Sequence, residues 1–581
     1  MKNDYSSLYP YLYRYRFRYF LGFVFLIIVD AAQVLIPFFL QKSIDAIYFN
    51  STRWNSLLPL VGGLVLMMTI ISGGRFLWRY FIHGSSRRIE MEMRDAFFAH
   101  ILTLSYDFFQ KNKIGDLMAR AVNDMNAIRI AIGMGFVAIF DGTVMAVAIL
   151  IIIFVQDAET AALAVLPLPF VTVLILLFGK LVGKRFQKAQ ETYSSMSNVV
   201  QETFAGVRVV KSFVKEWYFL RKFADSNDDY RKANMDLVKL YGVFFPLISF
   251  FSGLTSIILL AVGGFRVVNG LMTPGELTAL FRYLQMLIWP IMGAGFMVNM
   301  VQRGAVSLNR INEVMTAKPL IASYQGEVHE PLKDNTVIRV ENLTFAYDEK
   351  TPVLKDVNFT LEHGEILGVL GKTGSGKTTL LKILTRMIEP PSGTVLVNGL
   401  DVREWDLMEL RSLFSVVPQD GYLFSDSIKS NVAYGIDGAD EDEIKKAIEI
   451  SSLDRDLADF ADGWDTVIGE KGLTISGGQK QRTAVARAIT KLSQTRSCIL
   501  VLDDSLSSVD AETENRILTN LFENLHKTTV IIVSHRVSTL SHADKVIVLD
   551  HGAITEYGQP DLLAMGNGFY AKIKSLQQLE R

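Results

Sequence analysis

The chain has 581 residues, 50% of them hydrophobic and only 20% charged, against about 25% charged in an ordinary soluble protein; its mean hydropathy is +0.25. The formal net charge of −1 hides an asymmetry: residues 1–325 carry 32 Lys and Arg against 21 Asp and Glu, a net +11, and residues 326–581 carry 27 against 39, a net −12. An apolar basic half followed by an acidic half predicts a membrane domain joined to a soluble one. The acidic soluble half argues against nucleic acid as a partner, and a single cysteine, Cys498, excludes a disulfide framework.

Tyr9–Phe20 alternates aromatic residues with Arg and reads as an interfacial segment. Six apolar runs follow, at 20–40, 57–77, 136–155, 161–181, 244–268 and 277–301, each near the roughly 20 residues that a bilayer crossing needs. An even number returns the chain to the side it started from. Arg14, Arg16 and Arg18, then Arg75, Arg79, Arg87 and Arg88, then Lys180, Lys184, Arg185 and Lys188 flank one set of span ends, whereas the opposite loops carry little positive charge. The positive-inside rule therefore predicts a multi-pass protein of the cytoplasmic membrane, with both termini and two long loops inside. The first run is of full span length and has no small-residue cleavage site behind it, so no cleavable signal is expected. Asn50-Ser51-Thr52 fits a glycosylation sequon and is read as loop. The two inside loops, 82–135 and 182–243, show helical spacing (Ile89, Met93, Phe97, Ile101), so the membrane helices are expected to continue into the cytoplasm. Each has one break, at Asn112–Asp116 and at Gly206–Arg208.

The predicted boundaries are a helical transmembrane domain over 1–313, a linker over 314–335 and an α/β domain over 336–581. In the last, short β-branched runs at Val337–Val340, Ile366–Leu370, Ser415–Val417, Ile499–Leu502, Val530–Val533 and Lys545–Leu549 read as strands. Gly371-Lys372-Thr373-Gly374-Ser375-Gly376-Lys377-Thr378 matches the phosphate-loop pattern, follows a strand and opens a helical run that begins at Thr379. Its glycines let backbone N–H groups face phosphate oxygens, Lys377 adds a charge for the β and γ phosphates, and the Thr378 hydroxyl suits Mg²⁺. Asp503, closing the apolar strand Ile499–Leu502, is placed to hold Mg²⁺ as well. Ser476-Gly477-Gly478-Gln479 opens another helix with donors suited to phosphate.

With Gln419 and His535, these motifs occur in the order phosphate loop, Gln, Ser-Gly-Gly-Gln, Asp, His, and here the chain resembles the ATP-binding cassette family over its whole length. Six spans fused ahead of one cassette look like an exporter half-transporter, and most like subunits of bacterial heterodimeric multidrug exporters. The resemblance implies that Tyr347 stacks on adenine, that residues 371–379 hold ATP, and that Gln419 touches Mg²⁺. It implies that Ser476, Gly477, Gly478 and Gln479 meet the γ-phosphate on a partner's phosphate loop. Asp510 would lie at the cassette interface, and His535 would contact the γ-phosphate. Ile114–Leu117 and Val210–Glu216 would be coupling helices.

One position departs from the family. Where its catalytic base is normally Glu, this chain has Asp504. Removing a methylene draws the carboxylate back by roughly 1.5 Å, and about 1 Å of misplacement can cost on the order of a hundredfold in rate. The resemblance further implies that each ATP is sandwiched between two chains, so the protein is expected to be a dimer. A heterodimer with a Glu-bearing partner is the favoured reading; a homodimer using Asp504 as base is the alternative.

Polar residues in spans are costly and face a cavity or one another. Asp30, Gln33, Asp141, Arg282, Gln285 and Asn299 are such residues, with Tyr283, Trp289 and Phe296 as aromatic neighbours. A cavity of this kind suits hydrophobic, amphipathic or cationic compounds. ATP-driven export of drugs or of lipids fits these features; import and non-transport roles fit them less well.

Overall fold

A computed structural model describes residues 5–49, 54–321, 323–324, 336–348, 351–436, 438–469, 472, 475–494, 499–525 and 528–579. Asn50-Ser51-Thr52, Cys498, most of the expected linker and the side chains of Trp289 and Phe296 lie outside the described residues. The chain forms two compact units, Met1–Thr103 with Asn112–Ala317, and Leu104–Lys111 with Lys318–Arg581.

The first unit is helical. Among the described residues five helices are long and apolar enough to cross a membrane: Arg16–Tyr48, Leu57–Thr103, Ile114–Gln156, Ala158–Ala205 and Glu216–Val268. They contain the first five expected runs, and four of them extend far past one bilayer thickness. The sixth run, 277–301, lies in the helix Pro274–Met315, which is not among the five; several of its side chains are outside the described residues. Helix ends follow local chemistry. Asp157 accepts from Thr160 N (3.1 Å) and opens the fourth helix. Thr273 and Glu276 form a reciprocal capping box before Pro274 at N1. Asp45, at the end of the first helix, accepts from Thr273 Oγ1 and Gly275 N, both at 2.9 Å. A Cβ on Gly275 would fall 2.3 Å from the Gln41 carbonyl oxygen, so only glycine allows that approach. Two π-turns, Arg120–Asp124 and Ala131–Gly135, interrupt the third helix, and no feature of the sequence reading anticipated them.

Ile114–Leu117, one of the two expected coupling segments, belongs to the first unit, where Asp116 pairs with Arg120 (2.9 Å) and Arg310 (2.6 Å). Leu104–Lys111, slightly earlier in the chain, belongs to the second unit. There Lys382 Nζ lies 4.8 Å from the Tyr106 ring centroid, and Ser105 Oγ accepts from Leu320 N (3.1 Å).

The second unit holds two sheets. Strands β1 (Thr336–Ala346), β2 (Pro352–Glu362), β4 (Val395–Val397) and β5 (Leu400–Asp401) form an antiparallel sheet in the order β2-β1-β4-β5. The larger sheet contains β3 (Ile366–Gly371), β6 (Phe414–Val417), β7 (Ile499–Asp503), β8 (Thr529–Val533), β9 (Lys545–Asp550) and β10 (Ala553–Gly558), in the order β10-β9-β3-β8-β7-β6. Strands β9, β3, β8, β7 and β6 run parallel, and edge strand β10 pairs antiparallel with β9. Strand periodicity divides the side chains between two cores: Leu500 and Leu502 pack with helix Gly477–Gln494, whereas Ile499 and Val501 pack with helix Lys377–Leu384. Burial on both faces explains why these strands read as unbroken apolar runs.

Gly552, in the turn between β9 and β10, has φ +86°, and a Cβ there would sit 2.3 Å from the Val353 carbonyl oxygen. Gly552→Ala is therefore expected to destabilise the second unit by ~2 kcal/mol or more, lowering its melting temperature by roughly 4–8 °C. A thermal melt of the full chain checks this, and an unchanged transition counts against the strain.

Candidate functional site

Strand β3 ends at Gly371, and the chain turns through 372–376 into helix Lys377–Leu384. Gly374 has φ +82° and Gly376 φ +106°, and a Cβ on Gly376 would lie 2.7 Å from Leu354 Cδ2. The turn can be made only with glycine at these points. Lys377 folds back over it, its Nζ donating to the carbonyls of Gly371 (2.7 Å) and Lys372 (3.0 Å). Burial pulls the Lys377 ammonium below its ordinary range, against the opposing pull of Asp504 and Asp503. Ser375 Oγ is buried with no partner among the described residues.

Other segments converge on this turn. Asp503 closes β7, 8% exposed, and Thr378 Oγ1 donates to its Oδ2 at 3.5 Å. Asp504 comes next with φ +46°, its N–H donating to the Val533 carbonyl (2.9 Å). Together with Gln419, His535 and the 373–379 turn they line a cavity of about 230 Å³. Tyr347 is not among the lining residues; its hydroxyl is 3.2 Å from Thr379 Oγ1, and half its surface is exposed. Burial raises the Asp504 carboxyl, against the charges of His535, Lys377 and Arg536. Burial and the adjacent Asp504 charge raise that of Asp503. A turn of inward backbone donors, a lysine, an orphaned hydroxyl and two carboxyl groups suit a phosphate chain with a divalent cation.

Ser476–Gln479 is not among the residues lining that cavity. Ser476 Oγ accepts from Gln479 N (3.2 Å), and Gln479 Oε1 accepts from Ser476 N (2.9 Å), a capping box that opens helix Gly477–Gln494. Ser476 and Gly477 are exposed, with Gly478 beside them half-buried. Asp510 caps helix Ala511–Asn524, accepting from Thr513 N (2.9 Å), and these hydrogen bonds hold its carboxyl below the usual range.

The sequence reading missed the residues that brace these segments. Gln481 donates to Ser507 Oγ (3.3 Å) and accepts from Ser508 N (2.9 Å). Arg536 donates to the Val509 (3.2 Å) and Ser507 (3.4 Å) carbonyls and pairs with buried Glu514. Gln577 donates to the His535 carbonyl and accepts from Val537 N, both at 2.8 Å. Adjacency of Gln481 to the Ser-Gly-Gly-Gln run and of Arg536 to His535 was the available signal; Gln577 gave none.

In the helical unit the span polar residues do not gather into one site. Asp30 is buried and faces Asp141. Arg75 Nη2 donates to Gln33 Oε1 (3.4 Å), and Arg282 Nη1 to Gln285 Oε1 (3.3 Å). Asn299 is exposed. Tyr283 is 3% exposed and donates to the Val34 carbonyl (2.9 Å), a packing role. The Trp289 side chain is outside the described residues.

Residues 19–291 match the family model described as "ABC transporter transmembrane region", and residues 354–507 match "ABC transporter". The chain is 34% identical over 568 residues to the probable multidrug resistance ABC transporter ATP-binding/permease protein YheI of Bacillus subtilis, covering 97% of this chain and 95% of that one. It is 29% identical over 555 residues to an ATP-dependent lipid A-core flippase of Syntrophus aciditrophicus, covering 95% and 91%. A solved bacterial Atm1-family ABC exporter with ATP bound superposes with a TM-score of 0.77 at 22% identity, covering 97% of this chain and 98% of that one.

The raised Asp503 carboxyl generates a pH dependence. Were Asp503 to hold Mg²⁺, its protonation would remove that ligand, so Mg²⁺-dependent nucleotide binding is expected to weaken on acidification, starting above the pH at which an ordinary carboxylate protonates. Asp504→Asn removes the second cause of the shift and should move that onset to lower pH. Titration of a fluorescent ATP analogue across pH measures it; an onset unmoved by the substitution contradicts the coupling.

Proposed function

The chain belongs to the ABC transporter family, and we propose that it is the weaker hydrolytic half of a heterodimeric exporter. It is an exporter-type half-transporter whose ATP hydrolysis is coupled to transport. In this reading it moves hydrophobic or amphipathic compounds across the cytoplasmic membrane by alternating access. Helix Pro274–Met315 supplies the sixth span, and both termini face the cytoplasm. The observation that carries the heterodimer is Asp504, standing where Glu serves as base in the family.

Residues 371–379 bind the triphosphate, Tyr347 packs against the base, and Lys377 neutralises phosphate charge. Thr378, Gln419 and Asp503 would hold Mg²⁺, which when bound offsets negative charge on the phosphates. The orphaned Ser375 hydroxyl and the buried Asp503 carboxyl fit such a ligand. His535, exposed at the cavity, contacts the γ-phosphate. Asp504 positions water from about one C–C bond too far back, so nucleotide is held and slowly split. Ser476, Gly477 and Gly478, clear of this chain's own cavity, serve the partner's ATP. Their intact motif beside a shortened base is what a division of labour between two chains requires. Val210–Glu216 is read as a coupling segment; Phe213 and Val214 are 70% and 79% exposed and Trp217, just beyond, is 81% exposed, a run of exposed apolar side chains suited to an interaction site.

The chain purified alone is expected to hydrolyse ATP slowly, and Asp504→Glu should raise its site's rate by roughly tenfold or more. Turnover of the isolated wild-type chain at the level of an ordinary transporter would favour the homodimer instead. No gain from Asp504→Glu would remove the shortened side chain as the limiting defect.

A further inference from the structure

Asp456, in the short helix Asp454–Leu457, reaches the first turns of helix Gly477–Gln494. Its Oδ2 accepts from Arg482 Nε and its Oδ1 from Arg482 Nη2, both at 2.8 Å. The Arg482 and Asp456 side chains are only 13% and 15% exposed. A two-point pairing of this kind fixes the plane of the guanidinium as well as its place. Asp456 Oδ1 also accepts from Gln479 Nε2 at 3.3 Å. Gln479 and Arg482 stand at i and i+3 and share a helix face, so one carboxylate holds both.

The contact with Asp456 decides which way the Gln479 amide faces. An ionised carboxyl accepts hydrogen bonds and donates none, so the NH₂ end points at Asp456 and the oxygen end away from it. That oxygen accepts from Ser476 N (2.9 Å), while Ser476 Oγ accepts from Gln479 N (3.2 Å). With its oxygen used in this way, the Ser476 hydroxyl keeps its own hydrogen to donate, and it has no acceptor among the described residues. Arg482 backs the same turn: a Cβ on Gly478 would lie 3.3 Å from Arg482 Nη1, which sets the guanidinium against the glycine backbone. Ser476 and Gly477 are exposed. The donors thus face outward, and the carboxylate that organises them lies behind.

We propose that Asp456 is a positioning residue for the ATP held by the partner chain. It touches no nucleotide. Through the Gln479 amide and the Arg482 guanidinium it aims the Ser476 hydroxyl and the Gly477–Gly478 backbone at the γ-phosphate. The inference rests on the reading in which Ser476, Gly477 and Gly478 serve the partner's ATP, and it adds the residue that orients them. An ion pair that only stabilised the fold would act on this chain's nucleotide as much as on the partner's.

The test uses the full transporter, with the half that co-purifies, in lipid nanodiscs. It is photolabelled with azido-ATP with and without vanadate, and the two chains are then separated. Asp456→Asn keeps the size of the side chain but removes its charge and places an NH₂ group where an acceptor is needed. It is expected to lower vanadate-dependent label on the partner chain by roughly tenfold, with label bound to this chain without vanadate unchanged. Gln479→Glu breaks the amide link and spares the Arg482 pair; it should lower the same label, and it decides the matter if Asp456→Asn does not fold. Ser476→Ala should give a comparable loss, and adding Asp456→Asn to it should cost little more, because the two act in series. Full partner labelling in Ser476→Ala removes the reading in which this run serves the partner's ATP. A loss in Ser476→Ala with wild-type labelling in Asp456→Asn or Gln479→Glu overturns the positioning role alone. So do losses that multiply in the double variant, or equal losses from both chains.

Discussion

The nucleotide end of the second unit depends on the parallel register of β3, β8 and β7. Val369 pairs with Val533, and Val533 with Asp503. The three strands therefore end at one edge, and the segment attached to the end of each must emerge there. Those segments are the phosphate turn after Gly371, Asp504 after Asp503, and His535 shortly after Val533. In open parallel sheets the carboxyl ends of the strands form the ligand crevice for this reason. A one-residue slip of β7 would turn Asp503 to the other face and exchange the residues of its two cores.

Around that edge the connecting segments are tied to one another. Gln577 bonds the His535 carbonyl and Val537 N, on either side of Arg536, Arg536 holds the Ser507 and Val509 carbonyls, and Gln481 links the same loop to helix Gly477–Gln494. Bracing of this kind fixes the strand ends to which Asp504 is attached, and Asp504 itself is held by its N–H to Val533. A missing methylene in such a frame is not made up by backbone movement. The length of one side chain thereby bears on rate, and the proposed division of work between two chains rests on it.

Much of this was legible because the signals were either periodic or local. Six of the ten described strands were readable as apolar runs: β3, β6, β7, β8 and β9 because their side chains are mostly buried on both faces, and β1 only over Val337–Val340. The others, β2, β4, β5 and β10, are short, polar on one face or antiparallel edges, and carry no such run. The phosphate turn was legible because its glycines are demanded by positive φ angles. The first five helical spans were readable from length, but not the π-turns, nor that Leu104–Lys111 belongs to the second unit. Asp116 stays with the helices because Arg120 and Arg310 claim it, and sequence spacing cannot show that. The Asp30–Asp141 contact joins residues more than a hundred positions apart, and each looked like an isolated polar residue. Gln577, Arg536 and Gln481 act on distant loops, and apart from the nearness of Gln481 and Arg536 to the motifs the sequence holds no sign of it.

The central claim is that this chain's phosphate turn holds ATP far longer than it splits it. Its most direct test is photocrosslinking of the assembled transporter during turnover with azido-ATP labelled on either the α or the γ phosphate, with separation of the two chains afterwards. The account predicts that both labels are retained on this chain in equal amount. Retention of the α label with loss of the γ label, at a rate matching overall turnover, would contradict it.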